Sequence, residues 1–400
     1  LMIARIVIPL LLVIVLSDVY IDAHYFRKRV HITWQQRLAW WIPTIFLVTY
    51  TCILASIHNF APTNLTWLNT YLFLLGAFVG PKTIFGICSI IGSIIRKTII
   101  RTRRNYGHYV GLAAGIAAFL VYVYGLTFGF SQIRVRHITL TASDLPRNFD
   151  GYRIVQVSDM HIGTFNGWRR FILEDEMDSI KQANADLIVF VGDLQNMRPS
   201  EILPFTNLLK TSMKNAIAVR GNHDYTEYVK LSPKDAEQQN KDFADIVRSK
   251  LGWKLLENSH TTIRRGTDSI VVAGTENDGK PPFPQKANYP KTLKGVQKGA
   301  FVIMLQHDPS AWRRHIVPGK MAQITLSGHT HGGQIGIPGF GAIITNCDIP
   351  RAYAKGLSRW EAPDGSSSWL HVSAGLGTSP YAKIRIATRP EASLIHVHSA

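Results

Sequence analysis

Four hundred residues with 46% apolar content and no obvious internal repeat exceed one small core, so at least two structural units are expected. The net charge of +17 would suit a nucleic-acid partner, but residues 1–132 hold 11 Lys/Arg against 2 Asp/Glu; much of the excess sits in apolar surroundings, and nucleic-acid binding is not expected. Of three cysteines, Cys52 and Cys88 fall inside apolar runs, which leaves Cys347 alone in the remainder and excludes a disulfide framework or thiolate zinc site there.

No acidic residue occurs between Asp22 and Asp144, and that stretch contains long uncharged runs. A membrane-spanning helix needs about 20 mostly apolar residues. Runs at 3–21, 39–57, 66–95 and 109–130 meet that length, predicting a bundle of about four transmembrane helices over residues 1–132. The first run carries Arg5, Pro9 and Asp18, yet no small-residue cleavage pattern follows it, so a span is preferred over a signal peptide. The third is interrupted by Gly80-Pro81-Lys82 and reads as one kinked helix. Lys82 there is either a functional intramembrane charge or a contact inside the bundle. Gly111 and Gly115 form a small-xxx-small pair suited to helix packing. With four spans, the clusters Arg27-Lys28-Arg29 with Arg37, and Arg96-Lys97 with Arg101, Arg103 and Arg104, share one side, while the connection 59–64 is uncharged. The excess of positive charge in cytoplasmic loops then predicts that the chain after residue 130 emerges on the outer face.

From residue 133 to 400 the composition is that of a globular domain. Residues 133–140 alternate like an edge strand. Strands are predicted at 153–157, 187–191 and 216–219, with helices at 168–182, 199–213 and 234–251 between and after them. Shorter β segments follow at 253–256, 261–264, 270–273, 301–305, 323–326, 369–372 and 394–397. Early alternation and late hairpin-like strands predict a layered α/β fold, a β-sandwich core with flanking helices.

Five polar segments close the apolar strands: Asp159-Met160-His161, Gly192-Asp193, Gly221-Asn222-His223-Asp224, Gln306-His307-Asp308 and Gly328-His329-Thr330-His331. Singly, an Asp-x-His is more often a capped turn and a lone His a hydrogen-bonded core residue. Together they place carboxylates, an amide and imidazoles at strand carboxyl ends, where ligand sites of α/β sheets lie. Buried polar groups need partners, and a pair of divalent cations supplies them. Gly332-Gly333 suits a close backbone approach or a turn, 375–379 a nearby loop or a hairpin connection, and Arg220 a substrate phosphate or a surface carboxylate.

These five blocks resemble the calcineurin-like metallophosphoesterase superfamily, whose pattern is DxH, GDxxD, GNH(D/E), a single His and GHxH; the likeness covers about residues 150–400. The wording around 157–163 and 328–334 is similar to the membrane-attached YkuE/YaeI-type branch. The resemblance implies a metal-dependent phosphoric ester or anhydride hydrolase. It implies that Asp159, His161, Asp193 and His331 hold one divalent ion, and that Asn222, His307 and His329 hold a second, with Asp193 bridging. Oxygen and nitrogen ligands without thiolate suit Mn, Zn or Fe. The nucleophile implied is a metal-bridging hydroxide. His223 is left to stabilise or protonate the leaving oxygen. Its usual orienting Asp is here Asn196, whose amide can accept a hydrogen bond without bringing charge, and Asp224 is the expected substitute.

Three readings follow. In the first, the enzyme acts at a bacterial inner or plasma membrane on a lipid-linked or cell-envelope phosphate. The branch resemblance raises UDP-2,3-diacylglucosamine pyrophosphate cleavage, against which the outward orientation argues. In the second, the helices merely anchor a generic extracytoplasmic phosphomonoesterase or phosphodiesterase. In the third, the protein is a non-catalytic scaffold or metal sensor, which filled ligand positions disfavour.

Overall fold

The computed structural model describes residues 3–28, 32–57, 62, 64–101, 103–337, 341–342 and 354–399. Arg29, most of the 59–64 connection and Cys347 lie outside the described residues. The chain divides into two compact units, Leu1–Thr127 and Phe128–Ala400.

In the first unit, helices α1 (Val7–Ile21), α2 (Trp34–Ala55), α3 (Leu65–Leu74), α4 (Gly80–Ile95) and α5 (Gly107–Leu126) build four helical stretches long and apolar enough to cross a membrane: Ile3–Phe26, Trp34–Ala55, Leu65–Ile100 and Gly107–Ser131. Thr33 caps α2 with a reciprocal bond to Gln36, which fixes where the helix starts. The third stretch is continuous, with a π turn over Leu75–Val79 immediately before Gly80-Pro81 and another over Arg96–Ile100 at its end. A proline lacks the donor for the preceding turn, and a wider turn accommodates that loss. Gly111 and Gly115 lie against α4; a methyl group there would stand 2.9 Å from the Phe85 carbonyl and 3.0 Å from that of Pro81. Only glycine lets the two backbones approach this closely. Lys82 is a bundle contact: its ammonium lies 2.8 and 2.7 Å from the two Asp18 carboxylate oxygens, and Thr44 donates to the same carboxylate at 2.6 Å.

The second unit opens with α6 (Phe128–Ser131) and carries fourteen described strands and ribbons. The first five are β1 (Arg134–Ala142), β2 (Tyr152–Val157), β3 (Leu187–Val191), β4 (Ile217–Val219) and β5 (Lys254–Leu255). Next come β6 (Ser259–Arg265), β7 (Asp268–Gly274), β8 (Val302–Leu305), β9 (Ile324–Ser327) and the ribbon β10 (Gly336–Ile337) with β11 (Gly341–Ala342). The last three are β12 (Gly356–Glu361), β13 (Ser367–Val372) and β14 (Glu391–Ser399). One sheet runs β1-β14-β2-β3-β4-β5 and the other β12-β13-β9-β8-β7-β6. β2, β3 and β4 are mutually parallel, so their carboxyl ends share one edge.

Strands buried on both faces read as unbroken apolar runs. Ile154, Val189, Val191 and Val219 point between the sheets toward Ile303, Leu305 and Leu326. Their neighbours Val155, Phe190 and Ala218 face helices α7 (Arg170–Gln182), α8 (Thr206–Ser212) and α9 (Pro233–Asp245). Each fully buried side chain of this size contributes about 1.5–3 kcal/mol. A third apolar layer, including Trp312 and Ile316, covers the far face of the second sheet. The layered sandwich expected from the sequence is the fold observed.

The details differ at three places. The helix predicted over 199–213 is a 3-10 segment, Pro199–Phe205, followed by α8, because Pro204 cannot donate into an α-helical ladder. The segment between β13 and β14 is no hairpin, since the two strands belong to different sheets. β12 escaped the sequence because its half-buried positions Ser358 and Trp360, between exposed Arg359 and Glu361, do not make a clear apolar alternation.

Candidate metal centre

Each of the five polar segments begins where a strand ends, and short-range sterics prepare it for binding. Asp159, Asp193, His161, His329 and His331 all adopt positive φ, between 44° and 70°. Left-handed backbone in non-glycine residues costs about 1–2 kcal/mol each, and such strain concentrates at functional sites. The glycines of the motifs have a steric reason: a Cβ on Gly221 would overlap the Asp193 carboxylate, and one on Gly328 would overlap that of Asp159.

Six of the seven expected ligand positions fall into groups whose donor atoms lie within 4.8 Å of one another, and a group of His161, Asp193 and His223 joins them. Asp159, His161 and His331 form one group of potential donors, and Asp193, His307 and His329 another. Asp193 stands between them, its Oδ2 3.5 Å from His161 Nε2 and 3.2 Å from His307 Nε2. The ring nitrogens of His161 and His331 approach to 3.2 Å. Asn222 donates through Nδ2 to Tyr228 at 2.6 Å, which leaves its buried Oδ1 without a hydrogen-bond partner. His307 Nε2 and His329 Nε2 are likewise buried and unsatisfied. The 3.2 Å approach of His307 to Asp193 therefore lacks hydrogen-bond alignment. His307 is steered instead from its other nitrogen, 2.7 Å from the Val191 carbonyl. Buried oxygen and nitrogen donors without partners around shared carboxylates form a set that divalent cations would satisfy.

The electrostatics differ from ligand to ligand: Asp193, with Asp159, outweighs burial and raises His307 to about 10, and burial raises Asp159 to about 6. Burial opposes charge on Asp193, but the imidazoles of His307, His223 and His161 outweigh it and hold the carboxyl well below the ordinary range. Burial, reinforced by His161 and the Arg385 guanidinium, keeps His331 well below its ordinary value. Burial also lowers His161, with His223 adding to the effect, so both rings are neutral and available as ligands.

His223 stacks on Tyr228 at 4.3 Å and meets His161 edge-on at 4.7 Å. Its orientation departs from expectation. Nδ1 lies 2.7 Å from the main-chain carbonyl of Asn196, not from the Asn196 side chain. Asp224 is no substitute orienting group: its carboxylate accepts from the amides of Asp193, Leu194, Gln195 and Gly221. It braces the loop that carries Asp193. Arg220 takes the second of its two readings, pairing with Glu257 at 2.8 Å and donating to the carbonyls of Asp224 and Asn240. The loop 375–379 packs on the first motif, with Leu376 and Gly377 donating to the carbonyls of Ser158 and Asp159.

Sequence reasoning missed several neighbours. Asp308, seen only as part of a motif, places Oδ2 3.7 Å from His329 Nε2. Phe283 meets the His329 ring edge-on at 4.8 Å, and Tyr381 flanks His223 at 5.9 Å. Arg385, fully buried, donates to the carbonyls of Ala374, Gly375 and Gly377 behind Asp159. Only Asp308, adjacent to a ligand, left a local signal.

A family model described as calcineurin-like phosphoesterase matches residues 152–333, and one described as probable calcineurin-like phosphoesterase, transmembrane domain, matches residues 4–130. The chain belongs to the calcineurin-like phosphoesterases. It is similar to the uncharacterized metallophosphoesterase YkuE of Bacillus subtilis, 27% identical across 74% of this chain and 98% of that protein. A transmembrane protein with metallophosphoesterase domain from Danio rerio is 29% identical across 56% of this chain and 50% of its own length. The UDP-2,3-diacylglucosamine pyrophosphatase LpxG of Chlamydia trachomatis is 27% identical across 63% of this chain and 86% of its own. As a calcineurin-like phosphoesterase with four apolar helices, the protein is an integral membrane, metal-dependent hydrolase.

Proposed function

We propose that this phosphoesterase binds two divalent ions and hydrolyses a phosphate ester or pyrophosphate carried by a membrane-resident, lipid-linked or cell-envelope substrate. The observation that carries the dinuclear reading is the position of Asp193, whose Oδ2 faces His161 on one side and His307 on the other. In this reading Asp159, His161, Asp193 and His331 hold one ion, while Asn222, His307 and His329 share Asp193 in holding the second. Mn, Zn and Fe all match this oxygen and nitrogen donor set. When bound, such a pair supplies a water of lowered pKa and positive charge for the phosphoryl oxygens.

The remaining work falls to the chain. The Asn196 carbonyl keeps the proton of His223 on Nδ1 and leaves Nε2 as the ring nitrogen that meets the leaving oxygen. Asp224 holds the Asp193 loop in place through four main-chain amides. His223 and Tyr228 together form a flat wall beside the donors.

The outer face of the membrane is the proposed location of the catalytic unit. Two basic clusters on one side of a four-helix arrangement support it. Similarity to LpxG supports the pyrophosphate alternative, which requires a cytoplasmic catalytic unit because nucleotide-linked precursors are made there.

The test is hydrolysis by the full chain in lipid nanodiscs, supplied with Mn, Zn or Fe. Substrates are p-nitrophenyl phosphate, bis-p-nitrophenyl phosphate, phosphatidic acid in the same bilayer and a UDP-linked glycolipid. A preference for the bilayer substrate, with His223→Ala lowering kcat by about 10²–10⁴-fold, is expected. Equal kcat/KM on soluble and bilayer substrates would leave only the anchored generic phosphoesterase. Protease protection of the catalytic unit in intact spheroplasts would reverse the orientation.

A further inference from the structure

The membrane unit is short of negative charge, and part of its excess of cations lines one cavity. Residues 1–127 contain two carboxylates, Asp18 and Asp22, and both are matched inside the unit, Asp18 by Lys82 and Asp22 by Arg27 and Arg37. Around the connection between α4 and α5 stand Arg96, Lys97, Arg101, Arg103 and Arg104, for which the unit has no carboxylate left. The preference of positive loops for one side of a membrane accounts for cations in a connection. It does not account for two of them at the end of an apolar groove.

That groove follows from the packing of the two helices. α4 and α5 run antiparallel and touch through glycines: a methyl on Gly92 would stand 2.5 Å from Cα of Gly107, while Gly111 meets Phe85 and Gly115 meets Pro81. Where small residues bring backbones together, no side chain fills the seam beside them. A cavity of about 280 Å³ lies along this seam, lined by Cys88, Ile91, Ile95 and Val110 and by Arg96 and Arg104. Cys88 and Arg96 are eight residues apart in the sequence, about 12 Å along a helix. The cavity therefore has an apolar end inside the span and a cationic end near its terminus, since the third apolar stretch closes at Ile100 and the fourth opens at Gly107. Arg96 donates from Nη1 to the Arg103 carbonyl at 3.1 Å, and its buried Nε has no hydrogen-bond partner. A neutral carbonyl holds this guanidinium in place without compensating its charge.

We propose that the α4–α5 cavity binds an anionic phospholipid, with its phosphate between Arg96 and Arg104 and the first part of one acyl chain against Cys88, Ile91, Ile95 and Val110. Charge complementarity selects this occupant. Guanidinium pairs with phosphate through parallel hydrogen bonds, and basic pockets between spanning helices suit anionic headgroups. A zwitterionic lipid brings a choline cation toward the same two arginines and gains less. The site lies wholly within the membrane unit, so it stands apart from what the phosphoesterase unit cleaves and from which face that unit occupies.

The test is native mass spectrometry of the full chain released from nanodiscs containing equal phosphatidylglycerol and phosphatidylcholine. Wild-type protein is expected to retain phosphatidylglycerol, with a preference of about fivefold for each arginine engaged. The double variant Arg96→Gln with Arg104→Gln should lose that preference. Lys97→Gln with Arg101→Gln removes the same charge from side chains that do not line the cavity and should keep it. Val110→Trp fills the groove, leaves every cation in place and should also lose it, which covers the case in which the arginine variant fails to fold. Unfolding midpoints in lipid-free detergent verify the fold of each variant. Equal retention of the two lipids by the wild type would overturn the proposal, as would equal losses in the two charge variants, which would reduce the effect to net charge. Displacement of the lipid by soluble glycerol 1-phosphate would identify a free-anion site instead, and a lipid-free dimer would identify a second copy of the chain as the occupant.

Discussion

The buried charges of the two units are treated in opposite ways. In the membrane unit both carboxylates are matched by the chain itself: Asp18 by Lys82 and Thr44, Asp22 by Arg27 and Arg37. In the phosphoesterase unit, imidazoles crowd around Asp193 while His307 Nε2, His329 Nε2 and Asn222 Oδ1 are left without hydrogen bonds. A buried polar group that has its partner is explained by folding, whereas a cluster that lacks partners costs stability until a ligand supplies them. Lys82 and Asp193 are comparable in sequence as isolated charges among apolar residues; their surroundings separate a structural device from a binding site.

Removing the shared carboxylate should give the largest effect. Asp193→Asn is expected to lower metal-dependent kcat by about 10³-fold and to reduce bound metal below two ions per chain, measured by elemental analysis of purified protein. Full activity with a full metal complement would dissolve the distinction just drawn. On the other side of the comparison, Lys82→Met strands Asp18 and should destabilise the first unit by about 3–5 kcal/mol. The double variant Lys82→Met with Asp18→Asn should recover most of that loss in the unfolding midpoint of the full chain in detergent. If Lys82→Met alone unfolds at the wild-type midpoint, the pair is not what holds these helices, and a functional intramembrane charge returns as the better reading.

Much of this was legible in the residues, for identifiable reasons. β2, β3 and β4 are buried on both faces, so their apolar runs stand out, and the ligands sit at the run ends where the alternation breaks. The four helices were legible because crossing the hydrocarbon core takes about 20 mostly apolar residues, and such runs stand out in the sequence. What escaped was non-local. Nothing near residue 391 announces that β14 inserts between β1 and β2, because strand order is set by pairings far apart in sequence. Phe283, Tyr381 and Arg385 approach the ligands only through folding of loops more than 50 residues from the first motif. The partner of His223 was missed because it is a main-chain carbonyl, which every residue possesses and no motif marks.

A buried carboxylate lying outside both of the contrasted groups sharpens the comparison at a smaller scale. Glu176 in α7 is fully buried, neither of its oxygens has a hydrogen bond, and burial raises its pKa well above the ordinary glutamate value despite Arg385 nearby. The folded state then holds a proton that the unfolded state releases above about pH 4.5. Its stabilising contribution is therefore complete below that pH and declines as pH rises toward the folded pKa. Glu176→Gln removes this dependence. Thermal melts should show the variant and the wild type alike near pH 4.5 and the variant more stable near pH 8, by about 1–2 kcal/mol. A wild type that is the more stable at pH 8 would mean that Glu176 is ionised and matched by Arg385, in the manner of Asp18.

The smallest expected effect concerns Asn196, where the family pattern has an aspartate. If a side chain orients His223, truncating residue 196 should cost nearly as much as losing the imidazole itself. The observed acceptor is the Asn196 main-chain carbonyl, and that carbonyl is fixed by Glu201, which receives the amides of Asn196, Met197 and Arg198. Asn196→Ala keeps the carbonyl and the Glu201 cap, so kcat should fall by less than about 10-fold, against about 10²–10⁴-fold for His223→Ala. Glu201→Ala loosens the turn that presents the carbonyl, and its loss should exceed that of Asn196→Ala. The reverse ranking in kcat on bis-p-nitrophenyl phosphate would return the orienting role to the amide side chain and place residue 196 back among the groups that the motif alone identifies.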